Sequence, residues 1–319
     1  MGARAVRGAA ALVGAAEFAG LAARLRARAQ AGGAGGPRGA LAYLTPTQVR
    51  VAAGEIRTGR SISLAAPVET RPSPDNPDPA RHEMTAWHRP EAGASGHGLH
   101  FARDRFATNV HGDADTHLDA LCHVVYDGTL HGGVPASTVT ADGARELTVA
   151  LARDGIIGRG VLLDLPRLRG VPWLEPGEQV TAGELAAAET AQGVRVREGD
   201  LLLVRLGHRR RRAELGPWDP AEGRTGLHPE AMEFVADRRV AVLGCDGNSD
   251  AAPSRTEDVA YPVHVLAVHA LGVHLLDYLR LEDLAPVCAA EGRWSFFCVV
   301  APLRLPHATG SPVNPIAVL

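Results

Sequence analysis

The sequence predicts an α/β protein built on a mixed sheet or a barrel-like β core, on three grounds. Apolar runs of strand length recur along the chain: Gly160-Val-Leu-Leu-Asp164, Asp200-Leu-Leu-Leu-Val-Arg-Leu206 and Val240–Cys245. The second is nearly continuous, as expected of a strand buried on both faces. Segments with helical periodicity separate them, so strands and helices alternate, but loosely. Finally, there is no Gly-x-Gly-x-x-Gly, no Walker loop and no internal repeat, which argues against a regular nucleotide-binding fold.

The elements follow in order. Residues 5–30 read as an Ala-rich helix with Leu12, Ala16, Phe18, Leu21 and Leu25 near one face. Its arginines gather toward the C-terminal end, where they suit the helix dipole. Residues 31–39 are a Gly-rich break. Residues 1–39 are therefore expected to be an arm outside the core, either packed on a partner subunit or frayed, and residues 40–319 a single domain. Thr45 caps a short helix that starts at Pro46 and runs to about Thr58. Ser61–Leu64 reads as a strand, 67–98 as a long surface loop rich in Pro, Asp, Arg and His, and 99–106 as another strand. Tyr126-Asp-Gly128 is a turn and 156–165 contains a strand. Thr181 opens a helix to Gln192, with Glu184 completing a capping box. The run His208-Arg-Arg-Arg-Arg212 is a solvated loop or an anion site for a carboxylate-bearing substrate. A helix over 229–237 follows. Asp246-Gly-Asn-Ser-Asp250 reads as a turn with capping carboxylates in preference to a second acidic site. A helix over 262–275 and a strand over 294–301 complete the chain.

Composition sets limits. The net charge is −3, so nothing points to a nucleic-acid partner. Gly (36) and Pro (22) are plentiful, which favours a fold with many turns. The four cysteines form no C-x-x-C pair, so a zinc knuckle is not expected; few thiols in a chain this long fit a reducing cytoplasm. No apolar run reaches the roughly 18 residues of a membrane span. The Ala-rich N-terminus is broken by Glu17 and followed by Arg24, Arg26 and Arg28, without a signal-peptide cleavage site.

The stretch that concentrates chemistry is His111-Gly-Asp-Ala-Asp-Thr-His-Leu-Asp-Ala-Leu-Cys-His123. His111, Asp113, Asp115, His117 and Asp119 fall at alternate positions. In an extended strand all five would share one face. Carboxylates so crowded repel unless a cation offsets them, and a mixture of imidazole and carboxylate suits Zn, Mn or Fe. The alternative is a solvated edge strand carrying scattered histidines. Ser249 and Ser254 lack a Gly-x-Ser-x-Gly elbow, so a serine hydrolase is not indicated. Cys122 reads as buried packing; His269 and His274 could each touch substrate but read in preference as histidines packed within a helix.

At Thr116-His-Leu-Asp-Ala-Leu-Cys-His123 the chain resembles the cyclase superfamily, which includes bacterial kynurenine formamidase and isatin hydrolase. The family pattern is His-x-Gly-Thr-His-x-Asp-x-x-x-His. Supporting stretches are Gly160-Val-Leu-Leu-Asp164, Gly199-Asp-Leu-Leu-Leu-Val-Arg205, Pro262-Val-His264 and Gly272-Val-His-Leu-Leu-Asp277. The resemblance, from about Leu44 to the C-terminus, implies a swivelling β/β/α fold and a homodimer or homotetramer. It also implies one divalent ion, Mn2+ or Zn2+, and cleavage of a small-molecule amide C–N bond. By position, His117 and Asp119 match metal ligands and His123 matches the general base or acid. His264 and Asp277 fall near a C-terminal His and Glu that complete the metal site in some members. The chain departs from the pattern in having Asp113 for the first ligand His, Asp115 for Gly, Leu121 for Pro and Asp277 for Glu. Asp113 as a ligand would favour Mn over Zn; otherwise His111 takes its place.

Three functions follow as expectations. The first is metal-dependent hydrolysis of an amide, lactam or ester, with a metal held by Asp113, His117 and Asp119 and with His123 moving the proton. The second is ring closure, dehydration or lactonisation at the same site. The third is a non-catalytic binding protein that has lost its metal.

Overall fold

The structure is a computed structural model, and it describes residues 12–87 and 101–319. The three apolar runs, together with His274–Asp277, become the centre of a nine-stranded mixed sheet. Ile156–Asp164, Leu201–Arg205, Val242–Cys245 and His274–Asp277 lie parallel in that order. Leu201–Arg205 is buried at every residue, as its unbroken apolar sequence requires. Beyond His274–Asp277 the antiparallel strands His117–Asp119 and Gly310–Pro312 extend the sheet. Ser295–Val300, Ile316–Val318 and Ser61–Ser63 extend the opposite edge, also antiparallel. The sheet curls into a half-barrel, so the α/β class with a barrel-like core holds.

Local chemistry explains most boundaries. The Thr181 side chain accepts from Glu184 N at 3.3 Å, and Glu184 Oε2 accepts from Thr181 N at 3.2 Å; this capping box opens the helix Ala182–Gln192. Thr45 caps Pro46–Ala53, with Pro46 at the first turn, and the helix stops at Gly54, short of Thr58.

Four expectations need correction. Of the first thirty residues, the described part is not outside the core. The helix Ala15–Gly32 buries Phe18, Leu21, Ala22, Leu25 and Ala29 in the same apolar cluster as the sheet, and packs on Val265–Leu271. The apolar stripe thus meets a cognate surface on its own chain. Leu12, placed on that stripe, is 72% exposed. Next, residues 67–98 are not all loop. Arg81–Ala86 pairs with Arg103–Ala107 as an exposed hairpin, and residues 88–98 of the predicted loop, with 99 and 100 of the predicted strand, lie outside the described residues.

The predicted helix over 262–275 is a short α-turn, Pro262–His264, continuing as a π-helix over Val265–Leu271. Gly272 then takes a left-handed conformation (φ 68°), and a Cβ there would lie 2.6 Å from the His131 ring. Only glycine tolerates both conditions, so the helix ends and His274–Asp277 becomes a strand. Last, His208–Leu215 is a helix and not a loop. Its arginines are occupied internally: Arg209 Nη2 donates to Ala114 O (2.6 Å) and Tyr278 O (2.5 Å), and Arg212 pairs with Glu69 and Asp75. The basic run is therefore no open anion site.

The buried N-terminal helix generates a stability prediction. Leu25→Ala should destabilise the fold by about 2–5 kcal/mol, and Leu12→Ala by less than about 0.5 kcal/mol. Urea unfolding of both variants checks this, and a Leu25→Ala cost as small as that of Leu12→Ala would mean the helix is not core.

Candidate metal centre

The donor-rich stretch does not form one long strand. Only His117–Asp119 is extended, hydrogen-bonded between His274–Asp277 and Gly310–Pro312. Residues 109–116 bend because their polar groups have partners elsewhere. The Ala114 carbonyl is taken by Arg209, the Thr116 hydroxyl donates to Tyr278 O (2.6 Å), and Asp115 Oδ1 accepts from Glu69 N (3.1 Å). The five alternate donors therefore do not share a face. Asp115 is turned to Glu69, and Asp113 Oδ1 accepts from the Tyr278 hydroxyl at 2.5 Å.

Asp119 stands at the centre of what remains. It is fully buried. Its Oδ1 lies 2.8 Å from His111 Nδ1 and 3.6 Å from His117 Nε2. Its Oδ2 lies 3.5 Å from His264 Nε2 and has no hydrogen bond of ordinary geometry. The chain turns sharply after the strand (His123 N donates to Ala120 O, 2.9 Å), which brings His123 back to stack on His111 at 3.7 Å between ring centroids. Asp277, opposite His117 in the sheet register, has its Oδ2 3.6 Å from His264 Nε2.

Two sets of three donors result, each with its ligand atoms within 4.8 Å of one another: His111, His117 and Asp119, and Asp119, His123 and His264. Both contain Asp119. Asp113 belongs to neither, and His111 stands in the position next to Asp119. The donor types and the unpartnered Asp119 Oδ2 suit a divalent ion of the Zn or Mn kind.

The histidines are oriented from behind. His117 Nδ1 faces Asp115 O at 2.8 Å; donation there leaves the Nε2 lone pair toward Asp119. His264 Nδ1 lies 2.6 Å from Asp250 Oδ2, which aims its Nε2 at Asp119 and Asp277. Such outer carboxylates and carbonyls are what fix the tautomer of a ligating histidine. Asp250 also accepts from Val263 N (2.6 Å) and His264 N (3.0 Å), so it caps the short helix that carries His264. Ser249 Oγ donates to Asp277 Oδ1 at 2.6 Å.

Electrostatics follow from burial and these contacts. Burial raises the Asp119 carboxyl, but the contacts from His111 and His264 outweigh it and hold the group well below the usual carboxylate range. His264 is penalised by burial, yet Asp119 and Asp250 hold its pKa well above the usual imidazole value. Burial pushes His123 down to about 4, so its ring is neutral at physiological pH.

A cavity of about 520 Å³ opens onto this cluster. His111, His117, His123, His264 and Asp277 line one wall; Val124, Val125, Val259 and Tyr261 supply apolar surface. Asp113 also lines it. Asn248, Asp250 and Tyr278 are functional candidates that the motif did not single out. The run Asp246-Gly-Asn-Ser-Asp250 after an apolar strand was the available signal for the first two, and its reading as a turn with capping carboxylates holds. Asp246 accepts from Leu206 N (2.6 Å) and Gly207 N (2.8 Å). Nothing local marks Tyr278. Cys122 is buried packing as expected. His269 bonds Thr129 Oγ1 (3.0 Å), and His274 is fully buried with neither ring nitrogen paired; neither lines the cavity.

Comparison with known proteins places the chain. The Cyclase family model matches residues 61–250. A solved structure described as a novel cyclase is 31% identical, with a TM-score of 0.79 over 89% of this chain and 96% of its own. Isatin hydrolase A from Labrenzia aggregata, solved with benzyl benzoate, is 22% identical with a TM-score of 0.55, over 84% of this chain and 95% of its own. A second isatin hydrolase, bound to the product analogue thioisatinate, is 18% identical with a TM-score of 0.57, over 85% of this chain and 95% of its own. Both share the fold. No curated protein sequence matches the chain. With its family pattern spanning more than half the chain and a solved relative matched along nearly its full length, the protein belongs to the cyclase family.

Proposed function

We propose that the protein is a divalent-metal-dependent hydrolase that opens an amide, lactam or ester bond of a small molecule with water as nucleophile. The observation that carries this is the convergence of His111, His117, His123 and His264 on one cavity, around a buried Asp119 whose Oδ2 has no hydrogen-bond partner among the described residues. Family membership and the isatin hydrolases of the same fold support the reaction class.

His111, His117 and Asp119 would hold the ion, with His264 and Asp277 closing its other side. A divalent ion there would polarise the scissile carbonyl and acidify water. His123 is neutral, half-buried and on the cavity wall, so it takes the proton from the attacking water and returns it to the leaving nitrogen or oxygen. Asp250 and the Asp115 carbonyl keep His264 and His117 aimed during turnover. The valines and Tyr261 offer apolar surface that favours an apolar or aromatic substrate body. Because His111, and not Asp113, stands next to Asp119, the charge argument for Mn over Zn falls away, and either ion suits the donors. Ring closure at the same residues is the second reading, favoured by the family name; His123 would then deprotonate a substrate hydroxyl or amine in place of water.

Elemental analysis of the purified protein should find about one Mn or Zn per chain, and Asp119→Ala should lose it while keeping the native circular dichroism spectrum. Full metal occupancy in the variant would defeat the proposal. His123→Ala should retain the ion but lose at least about 100-fold in kcat on any amide, lactam or lactone that the wild type hydrolyses, with acid release as the readout. Asp250→Ala should weaken metal affinity by about 10–100-fold, measured by competition with a chelating dye; unchanged affinity would mean that His264 is not a ligand.

A further inference from the structure

A second cavity of about 480 Å³ adjoins the first, and Asp113, Ala260 and Tyr261 line both. Arg224 forms part of its wall. This arginine is only 6% exposed. Its Nε donates to Asp250 O (3.1 Å), and its guanidinium lies 4.8 Å over the Tyr261 ring. Tyr261 in turn stands edge-on to His264 at 5.7 Å between ring centroids. The cation is thus one aromatic ring away from the donor cluster.

Arg224 has no carboxylate within ion-pair distance among the described residues, a trait it shares with buried Arg209, whose guanidinium is taken by backbone carbonyls, while buried Arg159 and Arg205 each have one. The acids nearby are committed. Asp113 accepts from Tyr278, Asp75 is held by Arg212, and Asp219 accepts from Ala221 N (2.8 Å). Burial works against the Arg224 charge, but Tyr261, Tyr278 and Asp113 nearby outweigh it and hold its pKa above the usual guanidinium value; its planar face of donors matches a carboxylate. The site His208–Arg212 lacks, an arginine left open beside the cavity, is present at 224.

We propose that Arg224 is a subsite for a non-reacting carboxylate of the substrate, which makes the substrate class a small amide, lactam or ester carrying a separate carboxylate. The choice of reacting bond rests on the hydrolase proposal above; the binding of the carboxylate does not. Asp113, Asp75 and Asp219 on the same cavity disfavour a dianion such as a phosphate monoester, whereas a single negative charge is offset by Arg224.

The test compares benzoate with benzamide, which has the same shape without the charge, by calorimetric titration of the full chain. Titrations are run with and without EDTA. Benzoate should bind at least about tenfold more tightly, the preference should survive EDTA, and Arg224→Met should abolish it. Equal affinities, a preference lost on chelation, or one that persists in Arg224→Met would overturn the proposal. Should Arg224→Met fail to fold by circular dichroism, Arg224→Lys decides. It should weaken benzoate several-fold because an ammonium cannot make the paired contact, and unchanged binding would overturn the subsite. A protein that binds benzoate through Arg224 yet hydrolyses nothing would count against the reaction and leave the subsite standing.

Discussion

A carboxylate with no exposure to water sits on a strand three residues long, and the rest of the site depends on it. Asp119 is fully buried and keeps its charge only because His111, His117, His123 and His264 surround it. Each of those histidines comes from a different local structure: a bent loop, the strand itself, the turn after it, and a short helix from the far end of the chain. Burying a charge costs several kcal/mol unless its partners are already in place. That makes Asp119 a point through which the loop, the sheet and the helix must all agree.

The sheet supplies the agreement. His117–Asp119 lies between two antiparallel neighbours, and the pairing of Asp277 with His117 places the late acid beside the early motif. The parallel strands behind are buried on all sides, so they cannot slide without exposing leucines. Polar contacts then fix the last degrees of freedom. Arg209 gathers the Ala114 and Tyr278 carbonyls, and Asp250 caps the helix of His264 with the same carboxylate that orients its ring. One side chain therefore serves both the local fold and the aim of the His264 ring.

The same economy explains how a departure from the family pattern is absorbed. Asp113 stands where the family has a histidine, and it forms a short hydrogen bond with Tyr278 at the cavity wall. His111 approaches Asp119 because the loop bends instead of running straight. An acid in the cavity, and beyond it an arginine with no carboxylate in ion-pair distance among the described residues, give this chain its charge pattern.

The sequence by itself determined what local chemistry can determine. The Thr45 and Thr181 caps, the buried apolar strands and the density of donors between 111 and 123 all depend on neighbours within a few residues. The resemblance at Thr116–His123 was legible for the same reason, since the motif is contiguous. What only the tertiary structure decided depends on partners far apart in the chain. That His111 and not Asp113 lies beside Asp119 goes with a bend in the loop, where Arg209, nearly a hundred residues on, takes the carbonyl at Ala114. The burial of the N-terminal helix follows from an apolar surface at Val265–Leu271, more than two hundred residues away. The end of the helix at Gly272 follows from His131 closing against it. A side chain's own sequence neighbourhood states what it can bond; only the fold states which partner arrives.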